Sequence, residues 1–452
     1  MFLFNNHKTD GMRPPRVLVI GFALTILIGA VLLTLPVASN SGASLRFFDA
    51  LYTATSAVCV TGLVVVDTAT QFTVFGQIVI LILIQIGGLG FMTMSTLIAL
   101  LIGKRILLRE RLIMKEAMNQ FSSAGIVRLS RNVLLTTLIL ESLGTAVLAA
   151  RFARDYPLGK SLYLGLFHAV SAFCNAGFDI MGRLTGQFSS FTKYVADPVV
   201  SLTVCGLIIT GGLGFPVIQE IIHYRRDRRL SLHAVLVLRT TLFLVLGGAI
   251  LIFLFETGNP ATFGGLGWGG RSLAAIFQSV TPRTAGFNTL GISSMRVGSA
   301  FFMILLMFIG ASPSSTGGGI KTTTFGVLMA TIIATISGHE ETNLMKRRLP
   351  RDLILKAVTI FALAMTLVIT VTLLMTFTEK AGFIDLLFEV TSAFGTVGLS
   401  TGITPNMTDV GRIFIIITMF VGRLGPLTIA LALNNRASKR NVEYITDHVM
   451  IG

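Results

Sequence analysis

Long apolar runs along this chain come in pairs, each pair flanks a shorter apolar run, and the arrangement occurs four times. The first long runs cover residues 16–36, 132–153, 237–256 and 353–377; the second cover 74–102, 197–222, 298–336 and 408–434. Between them lie the short runs 47–58, 161–173, 271–281 and 383–394. A helix needs about 20 residues to cross roughly 30 Å of hydrocarbon, so the long runs predict spanning helices and the short runs predict re-entrant half-helices. Two crossings per quarter return the chain to the side it left, which makes the four units parallel, unlike the inverted repeats of many secondary transporters.

Each short run leads into a loop of small and hydroxyl residues ending in glycine: Thr55-Ser56-Ala57-Val58-Cys59-Val60-Thr61-Gly62, Val170-Ser171-Ala172-Phe173-Cys174-Asn175-Ala176-Gly177, Ser279-Val280-Thr281-Pro282-Arg283-Thr284-Ala285-Gly286, and Thr391-Ser392-Ala393-Phe394-Gly395-Thr396-Val397-Gly398. The glycines stand 115, 109 and 112 residues apart (62 to 177, 177 to 286, 286 to 398), close to a quarter of 452, and Leu63, Phe178, Phe287 and Leu399 follow them. Four copies of one unit predict a single pseudo-fourfold pore. The predicted fold is thus an all-α integral membrane protein with eight transmembrane helices and four re-entrant pore loops.

An ion entering such a pore exchanges hydration water for fixed oxygens, and a ring of loops supplies one backbone carbonyl per quarter at each level. Glycine is needed because turning successive carbonyls inward takes backbone angles that a Cβ would strain. Half-helices that aim their C-terminal ends at the axis favour a cation. The candidate filter is therefore Cys59, Val60, Thr61 and Gly62; Cys174, Asn175, Ala176 and Gly177; Arg283, Thr284, Ala285 and Gly286; and Gly395, Thr396, Val397 and Gly398. Only the glycine level is uniform, so selectivity is expected to rest mainly there.

A second signature lies in the second long runs. Gly87-Gly88-Leu89-Gly90-Phe91 recurs as Gly211-Gly212-Leu213-Gly214-Phe215, and the fourth quarter carries Gly422-Arg423-Leu424-Gly425-Pro426. In the third quarter the same step lands on Gly310-Ala311, followed by Ser312, Pro313, Ser314, Ser315, Thr316, Gly317, Gly318, Gly319, Ile320 and Lys321. Glycines and hydroxyls clustered after a proline disfavour helix, and non-helical backbone at this depth is tolerated only when it lines a cavity or is buried in protein. One second helix of four is thus expected to be interrupted, at 310–324, beneath the loops. Arg423 sits near mid-membrane, where an unpaired charge costs about 2.5–3.5 kcal/mol on insertion scales, so it must have partners. It either donates to the 312–322 segment and bars the pore, or stitches the fourth repeat to the third. Lys321 either pairs with Glu141 or reaches the cytoplasmic interface, the second being favoured.

Composition narrows the class. Hydrophobic residues make up 53% and charged residues 13%, against a charged fraction of about 25% in soluble domains. The net charge of +15 is placed by topology: Lys104 to Arg131, Arg225 to Arg239, Lys346 to Lys356 and the termini hold 23 of the 36 basic residues. That is the positive-inside pattern, which sets both termini in the cytoplasm and removes nucleic acid as a partner. The chain divides into a cytoplasmic segment (1–14), pore repeats (15–103, 132–224, 237–337, 353–434), cytoplasmic loops (104–131, 225–236, 338–352) and a tail (435–452). The first apolar run follows basic residues as a signal peptide would, but the repeat needs it, and it is read as retained.

Other chemistry is sparse. Cys59, Cys174 and Cys205 have neither metal spacing nor a disulfide framework. Gly317 to Thr322 lacks the contiguous Gly-Lys-Ser/Thr of a phosphate loop, and Gly265 to Gly270 fits a dinucleotide pattern without a βαβ context. No Ser/His/Asp set appears, which argues against an enzyme. Arg283 is expected to point away from the ion, Glu389 to brace a loop, and His168 to be a packed residue without a role. Asp67, Asp179 and Glu141 would carry coupling if the protein were a proton- or sodium-coupled transporter, the competing reading.

These loops, with Thr396-Val397-Gly398 echoing the core of the potassium-channel filter and Pro282-Arg283-Thr284-Ala285-Gly286-Phe287 in the third, resemble the Trk/Ktr/HKT superfamily of potassium transporters, and most of all its Ktr-type membrane subunits. The resemblance covers essentially the whole chain. It implies potassium uptake across the cell membrane, with K⁺ as the transported ion and no covalent cofactor. It implies a homodimer in membrane lipid and a cytoplasmic RCK-type ring through which alone a nucleotide (ATP/ADP or NAD) would act. It also matches the gate assigned to Arg423 and the third-quarter loop. In the HKT members, glycine at the first loop accompanies potassium permeation, and Gly62 fits.

Overall fold

The computed structural model describes residues 14–90 and 126–433. Among them, four helices are long and apolar enough to cross a membrane: Pro15–Thr34, Ser130–Phe152, Leu232–Glu256 and Arg351–Thr378. Their outward faces carry Leu24, Ile28, Leu138, Leu143, Phe243 and Ile250 exposed, a pattern suited to lipid rather than water. The protein is thus mostly helical and of membrane type.

We number the helices α1 (Pro14–Thr34), α2 (Phe47–Val58), α3 (Val74–Leu89), α4 (Ile126–Phe152), α5 (Leu158–Phe173), α6 (Pro198–Leu213), α7 (Phe215–Asp227), α8 (Leu232–Glu256), α9 (Trp268–Val280), α10 (Val297–Phe308), α11 (Thr322–Ile336), α12 (Arg351–Thr378), α13 (Phe383–Gly395), α14 (Asp409–Leu424) and α15 (Pro426–Leu433), leaving the single-turn helices unlabelled. A two-residue hairpin, β1 (Asn343–Leu344) and β2 (Arg347–Arg348), joins α11 to α12.

In every quarter the half-helix (α2, α5, α9, α13) packs against the long helix before it (α1, α4, α8, α12). Each second helix also leans on the half-helix of the next quarter: α3 on α5, α6 on α9, α10 on α13, and α14 back on α2. The last of these pairs closes a ring. One end of the ring is tied down by hydrogen bonds between each long helix, or the turn that follows it, and the start of the second helix. Thr73 donates to the Val37 carbonyl at 2.7 Å; Arg151 meets Asp197, which caps α6, at 2.5 Å; Glu256 accepts from the Arg296 N–H at 3.0 Å; and Glu379 accepts from the Thr408 N–H at 3.1 Å.

One expectation is corrected. The second helices are not continuous with a single exception. α6 and α7 meet at 101° across Gly214, α14 stops before α15 at Gly425, and α3 ends at Gly90. All three glycines have positive φ, 84° at Gly90, 90° at Gly214 and 86° at Gly425, which ends a right-handed helix. Among the described residues, only the third quarter places a long segment, 309–321, at this point, between α10 and α11. The basic loop expected at 104–131 lies mostly outside the described residues, as does the tail 435–452.

Candidate ion pathway

The half-helices end in loops of one repeated conformation. Two residues before each glycine the backbone turns left-handed, with φ of 57° at Val60, 58° at Asn175, 69° at Thr284 and 49° at Thr396; the glycines follow at 88°, 68°, 82° and 92°. Alternating the hand of the backbone sets successive carbonyls to one side, and such angles are costly for residues with a Cβ. The loops are held by hydroxyls of their own half-helix. Ser56 and Ser392 accept from the Gly62 and Gly398 N–H groups at 3.0 and 3.1 Å, Ser171 donates to the Phe178 carbonyl at 2.7 Å, and Thr281 donates to that of Phe287. Leu63, Phe178, Phe287 and Leu399 anchor the far ends, all buried.

The four glycines meet. A Cβ on Gly62 would strike the Ala176 carbonyl; on Gly177, that of Ala285 at 2.7 Å; on Gly286, that of Val397; and on Gly398, that of Thr61. Each glycine therefore abuts the next quarter's loop, and the fourth abuts the first. On one face of this ring lies a cavity of about 260 Å³, lined by the four glycines with Asp67, Asp179, Asn288 and Ser400 among its walls. Asp67 accepts from the Thr70 and Phe188 N–H groups at 2.8 and 3.0 Å. Burial pushes the Asp179 carboxyl up from 3.8 to about 7; the Met181 N–H opposes the rise and the Asp67 charge adds to it.

On the opposite side, the 309–321 segment packs against the loops. The Gly318 N–H donates to the Thr396 hydroxyl at 3.0 Å, Thr316 donates to the Phe173 carbonyl at 3.2 Å, and Gly317 is pressed against Thr284. The segment is pinned to the second quarter as well: the Ser312 and Thr316 N–H groups donate to the Gly212 and Gly211 carbonyls at 3.0 and 3.2 Å, and that of Phe215 donates to the Ser314 carbonyl at 2.9 Å. Ser312 pairs with Thr322 at 2.9 Å. Pro313 turns its carbonyl to Gly214, and Gly319 has φ of 66°. Ser315 keeps a hydroxyl without a partner among the described residues.

Arg423 donates to the Thr316 carbonyl of this segment and to the Gly87 carbonyl, and to that of Gly88 at 3.2 Å. It joins the fourth quarter to the third and also to the first, a partner not foreseen. Of the two alternatives for Lys321, the pairing with Glu141 is not formed: its ammonium donates to the Gly317 carbonyl at 2.7 Å. The non-helical segment leaves that carbonyl free, which satisfies the cation locally. Arg283 points away from the ring and donates to the Thr241 carbonyl of α8 at 3.3 Å.

Residues 3–444 match the TrkH family, described as cation transport protein. The chain belongs to this family. It is 44% identical over 439 residues to the Ktr system potassium uptake protein B of Bacillus subtilis strain 168, spanning 97% of each chain. It is 40% identical over 440 residues to the protein of that name from Vibrio alginolyticus, spanning 97% of this chain and 95% of that one. With the potassium/sodium uptake protein NtpJ of Enterococcus hirae it shares 37% over 458 residues, 100% of both. These relatives are uptake proteins, not enzymes. The crystal structure of the potassium transporter TrkH from Vibrio parahaemolyticus superposes with a TM-score of 0.73 at 16% identity, over 95% of this chain and 86% of that one, a likeness of fold.

Within this family fold, sequence reasoning missed the hydroxyls that tether the loops, although a serine six residues before the glycine recurs as Ser56, Ser171 and Ser392. It also missed Gln85, which no motif marks. Glu389 is buried and accepts from Ser400 at 2.7 Å and from Thr404, the bracing expected of it. His168 is packed among Phe152, Phe167 and Phe191, with its ring nitrogens against the Leu164 carbonyl at 2.7 Å and the Ile180 N–H at 3.3 Å.

Proposed function

We propose that the protein carries K⁺ into the cell along the axis of the glycine ring. The observation that supports this reading most is the cyclic abutment of Gly62, Gly177, Gly286 and Gly398, each against the carbonyl-bearing loop of the next quarter. An ion gathered in the cavity on the outer face loses water to these carbonyls, and the glycine level discriminates K⁺ from Na⁺. Residues 59–62, 174–177, 283–286 and 395–398 form the filter, between eight crossings arranged as four parallel units with both termini in the cytoplasm.

Residues 312–321 with Arg423 form the gate. In the described conformation the segment lies directly against the filter loops, tied down by the guanidinium; conduction requires it to leave. Two copies of this chain form a homodimer controlled by a cytoplasmic RCK-type ring, the component that binds nucleotide; relatives named as parts of a Ktr system support its working with further components. The likeness to NtpJ, named for potassium and sodium, favours a second reading in which Na⁺ is carried or coupled.

Tracer flux into proteoliposomes containing only this protein tests both. Uptake of ⁸⁶Rb⁺ down its gradient, competed by K⁺ and indifferent to Na⁺, is expected. Uptake that requires a Na⁺ gradient would select the second reading, and vesicles impermeable to Rb⁺, Na⁺ and K⁺ alike would sink both.

A further inference from the structure

Glu141 lies near the middle of α4, buried, and among the described residues no basic side chain pairs with it. A carboxyl at that depth is expensive and calls for a reason. Its surroundings supply one. One carboxyl oxygen accepts from the Gln85 amide at 3.2 Å, the Gln85 carbonyl oxygen accepts from the Cys174 thiol at 3.3 Å, and the same thiol lies 3.8 Å from the second Glu141 oxygen. The three side chains close a triangle joining α3, α4 and the end of α5.

Cys174 is the residue on which α5 ends and the second loop begins, three positions before Gly177. Its sulfur fits a slot that α3 leaves open only because residue 88 is glycine; a Cβ there would come within 2.8 Å of the sulfur. The thiol is thus located from two sides, by packing against Gly88 and by the polar pair behind it. Cys59, at the same place in the first loop, has no hydrogen-bonded carboxyl partner among the described residues.

We infer that Glu141 is a positioning residue for the second loop: through Gln85 and the Cys174 thiol it sets the carbonyls of residues 174–177, and with them the preference for K⁺ over Na⁺. Its two oxygens are turned to Gln85 and Cys174, so the role assigned to it is positioning rather than the coupling left open by the sequence. The inference rests on the filter reading above. A hydrogen-bonded carboxyl or amide suffices for the role; charge is not required.

The test compares K⁺ and Na⁺ flux ratios in proteoliposomes for wild type, Glu141→Gln, Glu141→Leu, Cys174→Ala and the double variant Glu141→Leu/Cys174→Ala. Partners that orient an ion-binding group typically matter by about 10–100-fold when removed, so Glu141→Leu is expected to cut the K⁺/Na⁺ ratio by about tenfold. Glu141→Gln should keep the wild-type ratio, Cys174→Ala should reproduce the loss, and the double variant should be no worse than either single one. An unchanged ratio in Glu141→Leu, an equal loss in Glu141→Gln, or additive losses in the double variant would overturn the inference. Should Glu141→Leu fail to insert, Cys174→Ala and Gln85→Leu carry the same comparison. Absence of K⁺ flux in wild type would instead strike the filter reading itself.

Discussion

At residue 286 the backbone has φ of 82°, and a Cβ would meet the Val397 carbonyl of the neighbouring loop. Left-handed backbone costs a residue with a Cβ about 1–2 kcal/mol, and the steric term adds to it. Gly286→Ala is therefore expected to reduce K⁺ flux by at least about fivefold, the lower end of that strain converted at 1.4 kcal/mol per decade, measured as ⁸⁶Rb⁺ uptake per inserted protein. Arg423 acts on the other side of the ring, and Arg423→Ala frees the Thr316 and Gly87 carbonyls it holds. Flux should rise; unchanged flux in normally inserted protein would reduce the guanidinium to a structural stitch. Asp179 gives the pathway a pH dependence. With its carboxyl raised to about 7, it is neutral in mildly acidic medium and ionises as the pH climbs through that value, adding negative charge to the cavity over the glycines. The apparent KM for K⁺ is expected to fall between about pH 6 and 8, and Asp179→Asn should flatten the profile. The linkage to stability runs the opposite way: the fold favours the protonated form, so this contribution is present below 3.8 and is lost as pH rises through about 7.

Among the elements, the long helices and half-helices were legible because hydrocarbon thickness fixes length: an apolar run of twenty residues and one of twelve have different fates. Residues 47–58 were placed to the residue, and 383–394 to within one. The second helices were not, and the reason is local. Gly87-Gly88-Leu89-Gly90 and its copies read as a stretch of small residues in an apolar helix, while Pro313 and the hydroxyls around it announce a break openly. What ends the quieter helices is a single glycine with positive φ, and propensity alone does not separate it from a helical one. The glycines before it serve a different end: a Cβ on Gly87, Gly211 or Gly422 would strike the Val58, Phe173 or Phe394 carbonyl at the end of the half-helix. Gly211→Ala should push α6 off α5, lowering the apparent melting temperature in detergent, whereas alanine at Gly206, where a Cβ meets nothing within 4 Å, should not. Equal effects at the two sites would deny the close approach its role.

For the molecule as a whole, the cyclic arrangement creates an asymmetry that a repeat count does not reveal. Chain connectivity joins the first quarter to the second, the second to the third and the third to the fourth, but only contacts hold the fourth to the first. That seam carries a concentration of charge pairs: Arg46 with Asp409, and Arg412 with Asp49 at 2.7 Å, the latter arginine also donating to the Pro405 carbonyl at 2.9 Å. Toward the other end of the helices, Arg423 reaches the Gly87 carbonyl and Arg16 donates to that of Ala432 at 2.9 Å. None of the pairings that cross the seam was legible in the sequence, since each joins residues more than 300 positions apart whose proximity exists only once the ring has closed. The two charge pairs differ in worth. Arg46 and Asp409 keep more than half of their side-chain surface in solvent, which screens them, while Arg412 and Asp49 keep 12% and 17%. Hydrogen bonds to charged groups shielded in this way contribute about 1.5–3 kcal/mol. Asp49→Asn should accordingly lower the apparent melting temperature, and because Gly398 closes on Thr61 across the same seam, it should lower the K⁺/Na⁺ flux ratio as well. Asp409→Asn should leave both nearly unchanged. If the seam works as a clasp on the filter, the exchanged pair Asp49→Arg with Arg412→Asp recovers the flux ratio that Asp49→Arg alone loses, and a pair no better than the single variant would mean that the ring is held shut by apolar packing alone.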